Sequence, residues 1–208
     1  MLALGGVFGA TAARAQSMTY TPAIEGVPED DLRALLTESA RLFTLKESPP
    51  STLAGLRRRA ESDLPRLRKA LRSEGFYDAN ITAEITPPEK EGGKARAVLK
   101  VETGPVYVLE AAEIVYTQGI SAEVSVPRDV TDLDLTVGMA ARAPRLLAAQ
   151  RRLLTRLASR GYPEAEVAKR EAVVDHDRET LTLTWRIDPG ARVRFGDIRF
   201  DGLDSVRG

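Results

Sequence analysis

The chain writes one sentence twice. Residues 71–85 read "LRSEGFYDANITAEI" and residues 157–171 read "LASRGYPEAEVAKRE", 86 positions on. Gly75 and Gly161 share that offset, and so do Gly104 and Gly190. In the same register Leu71 meets Leu157, Phe76 meets Tyr162, Ala79 meets Ala165 and Ile81 meets Val167. Further on, "KVETG" (100–104) lies over "RIDPG" (186–190): cation, apolar, anion, any residue, glycine. A gapless repeat of this length means modules built alike, each one supersecondary unit, rather than one merged core. Modules of roughly 85 residues have small cores and marginal stability, on the order of 5 kcal/mol.

Each copy carries the same local instructions. Leu53, Leu56, Ala60, Leu64, Leu67 and Leu71 recur every three or four residues, which predicts a helix with one apolar stripe. Ser51 is the expected cap, and Pro65 is expected to kink or split the helix. In the second copy Pro144 suits a first turn, and Leu146, Leu147, Leu153, Leu154 and Leu157 form the matching stripe. Both helices run into a glycine, Gly75 or Gly161, as helix ends do where the next residue turns left-handed.

Two strands then follow in each copy. Ala79, Ile81, Ala83 and Ile85 alternate with Asn80, Thr82 and Glu84, and after the loop 86–94 Ala95, Ala97, Leu99 and Val101 alternate again. In the second copy Leu181, Leu183, Trp185 and Ile187 alternate with polar residues beyond the loop "DHDRET" (175–180). Ahead of the long helix, 20–27 predicts a strand stopping at Gly26, and 28–43 a helix with Pro28 in its first turn and Glu29, Asp30 and Asp31 at the positive end of its dipole. In copy two the opening strand is 106–118, longer and bulged. Its first helix is the weak point, since "PRDVTDLDL" (127–135) has poor propensity and predicts something short or irregular. "GARVRFGDIRFDGL" (190–203) resembles the opening of a third copy.

Composition narrows the chemistry. Of 208 residues 43% are hydrophobic and 29% charged, a globular balance. Thirty basic residues offset thirty acidic ones, so no net charge directs the chain to nucleic acid. With no cysteine there is no disulfide, thiolate nucleophile or cysteine-bound zinc. "MLALGGVFGATAARAQS" has a short apolar run and an A-x-A pattern at Ala13–Ala15, which predicts a signal peptide over 1–15 cleaved near Ala15, although no basic residue precedes the run.

The phrases "RRRAESDLPRLRKALRSEGFYDANI" (57–81), "LLTRLASRGYPEAEV" (153–167) and "GARVRFGDIRFDG" (190–202), with a strand-helix-helix-strand-strand order, resemble POTRA (polypeptide-transport-associated) domains. Among these they resemble the TamA family, the outer-membrane subunit of the translocation and assembly module in the surface-antigen/Omp85 superfamily. The resemblance implies an α+β fold of tandem units, each a three-stranded mixed sheet packed on two helices, at 17–103 and 104–189, with 190–208 as the first strand of a third. It implies a periplasmic arm at the outer membrane ahead of a C-terminal β-barrel in the full-length protein. It implies client outer-membrane or autotransporter polypeptides and an inner-membrane-anchored subunit as partners, with no nucleic acid and no cofactor. It places the last strand of each unit centrally and the second at an edge, so that Ala79, Asn80, Ile81, Thr82 and Ala83 in one unit, and Ala165, Glu166, Val167 and Ala168 in the other, are the candidate residues for strand addition. The POTRA regions of two-partner secretion transporters and of the general barrel-assembly protein share these features.

Other candidates resolve to blander chemistry. Residues 51–74 hold seven basic residues against three acidic, and 142–161 six arginines with no acid; both read as solvated helix faces, with a docking face for an acidic partner or anionic lipid as the sharper alternative. His176 stands between Asp175 and Asp177, where three adjacent hairpin residues cannot converge on one ion, so a turn is expected and no metal. Trp185 is expected in the core. No nucleophile has a base and no carboxylates pair in matching contexts, so no enzyme chemistry is expected.

Overall fold

A computed structural model describes residues 18–121, 124–194 and 196. The expected signal peptide and most of the expected third-copy strand lie outside the described residues. Residues up to Arg72 together with Asp78–Gly104 form one compact unit, and Ser73–Tyr77 together with the chain from Pro105 form another.

The first unit contains β1 (Tyr20–Glu25), α1 (Asp30–Ser39), α2 (Arg41–Thr44), α3 (Leu53–Ser73), β2 (Asn80–Thr86) and β3 (Ala95–Glu102). The sheet order is β1-β3-β2, with β1 parallel and β2 antiparallel to the central β3. β3 is central because its alternation is the most apolar: Ala95, Ala97, Leu99 and Val101 are all buried. Leu56, Ala60, Leu67 and Leu71 of α3 are buried as one stripe, with Leu32 and Leu36 of α1. Pro65 sits inside an uninterrupted α3, so the expected split does not occur. Burying apolar side chains on both sides of Pro65 outweighs the roughly 3 kcal/mol its missing N–H costs.

Local punctuation differs in detail from expectation. α1 begins at Asp30 behind Glu29, which leaves Pro28 outside the helix. The helical run expected over 28–43 breaks at extended Ala40 into α1 and α2. Thr52, not Ser51, caps α3: its Oγ1 accepts from the Gly55 N–H at 3.0 Å. Gly26 has φ 85°, and a Cβ there would lie 1.9 Å from the Val101 carbonyl oxygen, so only glycine lets β1 turn off against β3.

The second unit contains β4 (Val108–Tyr116), a 3-10 helix (Val130–Leu133), α4 (Ala143–Ser159), β5 (Glu166–Asp175) and β6 (Thr180–Asp188). Its sheet has the same plan, β4-β6-β5, with β4 parallel and β5 antiparallel to the central β6. The core gathers Leu146, Ala149, Leu153 and Leu157 of α4, Leu181, Leu183, Trp185 and Ile187 of β6, and Val130, Leu133 and Leu135. Trp185 is fully buried, and its indole N–H meets no acceptor. The chain is α+β, with mixed three-stranded sheets and helices in both units.

The 86-residue offset survives as geometry. Gly75 and Gly161 have φ 94° and 93°. The Gly75 carbonyl accepts from the Tyr107 N–H at 2.9 Å, and the Gly161 carbonyl accepts from the Val193 N–H at 2.8 Å. Both hydrogen bonds span the same number of residues.

Candidate functional site

The sequence-predicted residues sit on the outer strands β2 and β5. Each of these strands is hydrogen-bonded to a sheet neighbour on one side only, leaving a row of N–H and C=O groups on the other. Asn80, Ile81, Thr82 and Ala83 lie in β2, while Ala79 immediately precedes it. Glu166, Val167 and Ala168 lie in β5, while Ala165 immediately precedes it. The two sets belong to separate units and are two surfaces.

The edges differ in regularity. β2 pairs with β3 residue for residue from Asn80–Glu102 to Thr86–Arg96 without a shift. Ile81 is buried, and Thr82, Glu84 and Thr86 are exposed. The Lys100 ammonium, hydrogen-bonded to Glu84, holds that carboxyl below the ordinary carboxylate range. β5 slips between Val167 and Lys169, so Ala168 is the bulged residue. A bulge bends the strand and leaves one residue unpaired. Beyond it Lys169 hydrogen-bonds Glu171 and lowers its pKa, with Arg186 adding to the effect at 3.4 Å. Charges of this kind discourage unselective pairing along an edge. Val173, 64% exposed, is the one large apolar side chain that β5 presents openly to water.

The basic helices are not uniform charged faces. Arg59 donates to the Leu45 and Ser48 carbonyls at 2.9 and 2.8 Å and to the Tyr20 hydroxyl. Arg66 reaches the carbonyl of Ser39, the last residue of α1, at 3.2 Å, and Arg152 reaches the carbonyl of Leu133, the last residue of the 3-10 helix, at 2.5 Å. These two arginines are 86 residues apart and do the same work, since a cation is favourable at a helix C-terminus. Asp63, counted by sequence among solvated charges, is fully buried and accepts from the Leu42 N–H at 2.8 Å.

His176 stays in its turn, and its Nδ1 lies 3.0 Å from the hydroxyl of the buried Tyr107, whose ring also packs on Tyr77. Among the described residues no group of three or more His, Asp or Glu is placed to hold a metal ion, and no helix is long and apolar enough to cross a membrane. What the arrangement offers chemically is backbone hydrogen-bonding capacity along sheet edges.

No family model matches the chain. Among solved structures it is similar to the crystal structure of Haemophilus influenzae BamA POTRA3-5, with a TM-score of 0.46 and 22% identity over 91% of this chain and 73% of that one. It is similar to POTRA1-3 of the periplasmic domain of Omp85 from Anabaena, with a TM-score of 0.46 and 18% identity over 84% of this chain and 62% of that one. The N-terminal domain of Omp85 from the thermophilic cyanobacterium Thermosynechococcus elongatus matches with a TM-score of 0.43 and 19% identity over 84% of this chain and 63% of that one.

Proposed function

We propose that this chain is the POTRA region of an outer-membrane assembly or translocation factor of the Omp85 superfamily, on the TamA pattern. It works on the periplasmic side of the outer membrane, scaffolds partners and receives client polypeptides by strand addition. The observation that carries the reading is the same sheet order in two successive units, each with an outer antiparallel strand beside a buried central one. An edge of that kind recognises extended backbone and so accepts many sequences, which suits a factor with many clients. Its partners are then client outer-membrane or autotransporter polypeptides, an inner-membrane-anchored subunit and a C-terminal β-barrel of the same protein. Its work is binding, not covalent chemistry. In this reading the unit boundaries fall near 17–103 and 104–189, residues 1–15 are the export signal, and a third unit opens near 190.

Photo-crosslinking tests the strand-addition role. A crosslinker at Thr82 or Ala168 is expected to trap an unfolded outer-membrane β-barrel segment, and one at Arg68 on α3 is not. Equal yields at all three positions, or none at Thr82 and Ala168, overturns it.

A further inference from the structure

The second unit has another outer edge, on β4, and the chain itself already begins to use it. The Leu109 N–H donates to the Met139 carbonyl and the Gly138 N–H to the Leu109 carbonyl, both at 2.8 Å. The Ala141 N–H donates to the Tyr107 carbonyl at 2.9 Å, and Val108 and Ala140 form an antiparallel bridge. Residues 139–141 thus run antiparallel along the start of β4 like a strand held by a single bridge, with Gly138 at its turn.

That stretch stops because the register changes. β4 slips between Leu109 and Ala111 against β6. Before the slip Leu109 faces outward. After it the Thr117 N–H reaches the Ile187 carbonyl, which by alternation turns Glu113 and Val115 toward β6 and the backbone groups of Ala112, Ile114 and Tyr116 outward. The next outward residue is therefore Ala112 rather than Ala111, out of step with 139–141, and at Gly138 (φ 87°) the chain leaves the edge.

A cleft of about 550 Å³ runs beside the stretch left open, lined by Glu110–Val115 on β4 and by Arg128–Thr131, Leu135 and Val137 opposite. Its far end is marked by the Tyr116 hydroxyl, which donates to the Pro127 carbonyl at 2.7 Å. Val137 is 63% exposed and Val115 36%. The cleft's charges are ordered along the strand: Glu110 and Glu113 stand on its early half, and Arg128 near Tyr116 at its late end. Asp129 is engaged with the Thr131 N–H and hydroxyl.

We propose that this cleft receives an extended polypeptide segment, added antiparallel to β4 over Ala112–Tyr116 in line with residues 139–141. It takes apolar side chains against Val115 and Val137, with an acidic residue toward Arg128 and, C-terminal to it, a basic residue toward Glu113. The direction follows from 139–141, which runs antiparallel to β4, so that the N-terminal end of a segment in line with it lies at Tyr116. Three outward residues span about 13 Å, enough for a short strand. This site is separate from the β2 and β5 edges and stands or falls apart from them.

The probe is the acetylated, amidated peptide Thr-Asp-Val-Thr-Arg-Val-Thr, whose first valine and arginine stand two apart on one face as Val115 and Glu113 do, followed by amide hydrogen exchange and amide NMR on the chain. Slowed exchange at Ala112, Ile114 and Tyr116 is expected. The charge-reversed peptide Thr-Arg-Val-Thr-Asp-Val-Thr, and the original peptide on Glu113→Lys, are each expected to bind about threefold more weakly, the scale of an exposed ion pair. The peptide N-methylated at alternate amides is expected not to bind. No protection at those three amides under saturating peptide, shifts confined to 166–175, equal binding of the reversed peptide, or undiminished binding of the N-methylated one each overturns the proposal.

Discussion

The two units share a sheet plan and differ in how they fill the place after the first strand. The first unit spends ten residues on α1, with Leu32 and Leu36 buried one turn apart. The second has a four-residue 3-10 helix whose Val130 and Leu133 are buried, followed by buried Leu135. The cause is local. "DVTDLD" offers β-branched and aspartate residues where a helix needs straight-chain ones, and Asp129 closes on the Thr131 N–H at 2.8 Å. Asp134 then turns left-handed at φ 58° and ends the element after its first turn, as 3-10 pieces commonly end. Yet Arg66 and Arg152, at equivalent places on the long helices, each hold the last carbonyl of the first helical element of their unit. The module keeps the anchoring cation and varies what it anchors.

The sharpest tool for separating the units is Trp185, the only tryptophan in the chain, because its fluorescence reports the second unit. Trp185→Ala empties the centre of that core and is expected to cost about 3–5 kcal/mol, the largest effect here, read by urea denaturation with far-UV circular dichroism. A cost below about 1 kcal/mol would mean that β6 is not the centre of that unit. Leu36→Ala in α1 is expected to cost about 3 kcal/mol and Leu133→Ala in the 3-10 helix about 2 kcal/mol, since a short element relaxes into the space more readily. The second substitution should move the tryptophan transition and the first should not. Equal costs would remove the distinction between a packed helix and a short plug.

Asp63→Ala is expected to cost about 1–3 kcal/mol, because it strands the Leu42 N–H at the start of α2 without an acceptor. The second unit has no buried carboxylate of this kind among the described residues. If Asp63→Ala leaves the first unit's urea midpoint unchanged, the buried carboxylate is not what holds α2 to α3.

Asp63 also shows where sequence reading ends. Gly75, Gly161 and the alternating strands β3 and β6 declare themselves locally, through spacing and periodicity, and the edge position of β2 and β5 came with the family resemblance. Asp63 stands three residues after Ala60 and four before Leu67, which puts it on the buried stripe, but its partner Leu42 lies 21 residues away and nothing in the local pattern names it. Of the two outcomes expected at Pro65, the split fails for a related reason: its local cost is real, but the buried stripe on both sides decides. The paired arginines were legible and passed over, since Arg66 and Arg152 stand at the repeat offset. The bulge in β4 was read from the sequence, but the cleft beside it was not, because it depends on where residues 128–137 pack against that strand.

The smallest effect concerns pH and belongs to the second unit. Burial pushes the Tyr116 hydroxyl up to about 12 from an ordinary value near 10. A raised phenol pKa means that between these values the unfolded chain gives up its proton while the folded unit keeps it. Stability is therefore full below pH 10 and falls as pH rises toward 12. Tyr116 is only half-buried, so solvent screens much of the effect and the slope will be shallow. Tyr116→Phe should remove this Tyr116 share of the slope, and should lower stability at pH 7 slightly by leaving the Pro127 carbonyl without its donor. Tryptophan fluorescence in urea at pH 8, 10 and 11.5 checks both. An identical slope in the two proteins would show that the hydroxyl stays wet, and with it that the Tyr116–Pro127 bond does not close the end of the cleft.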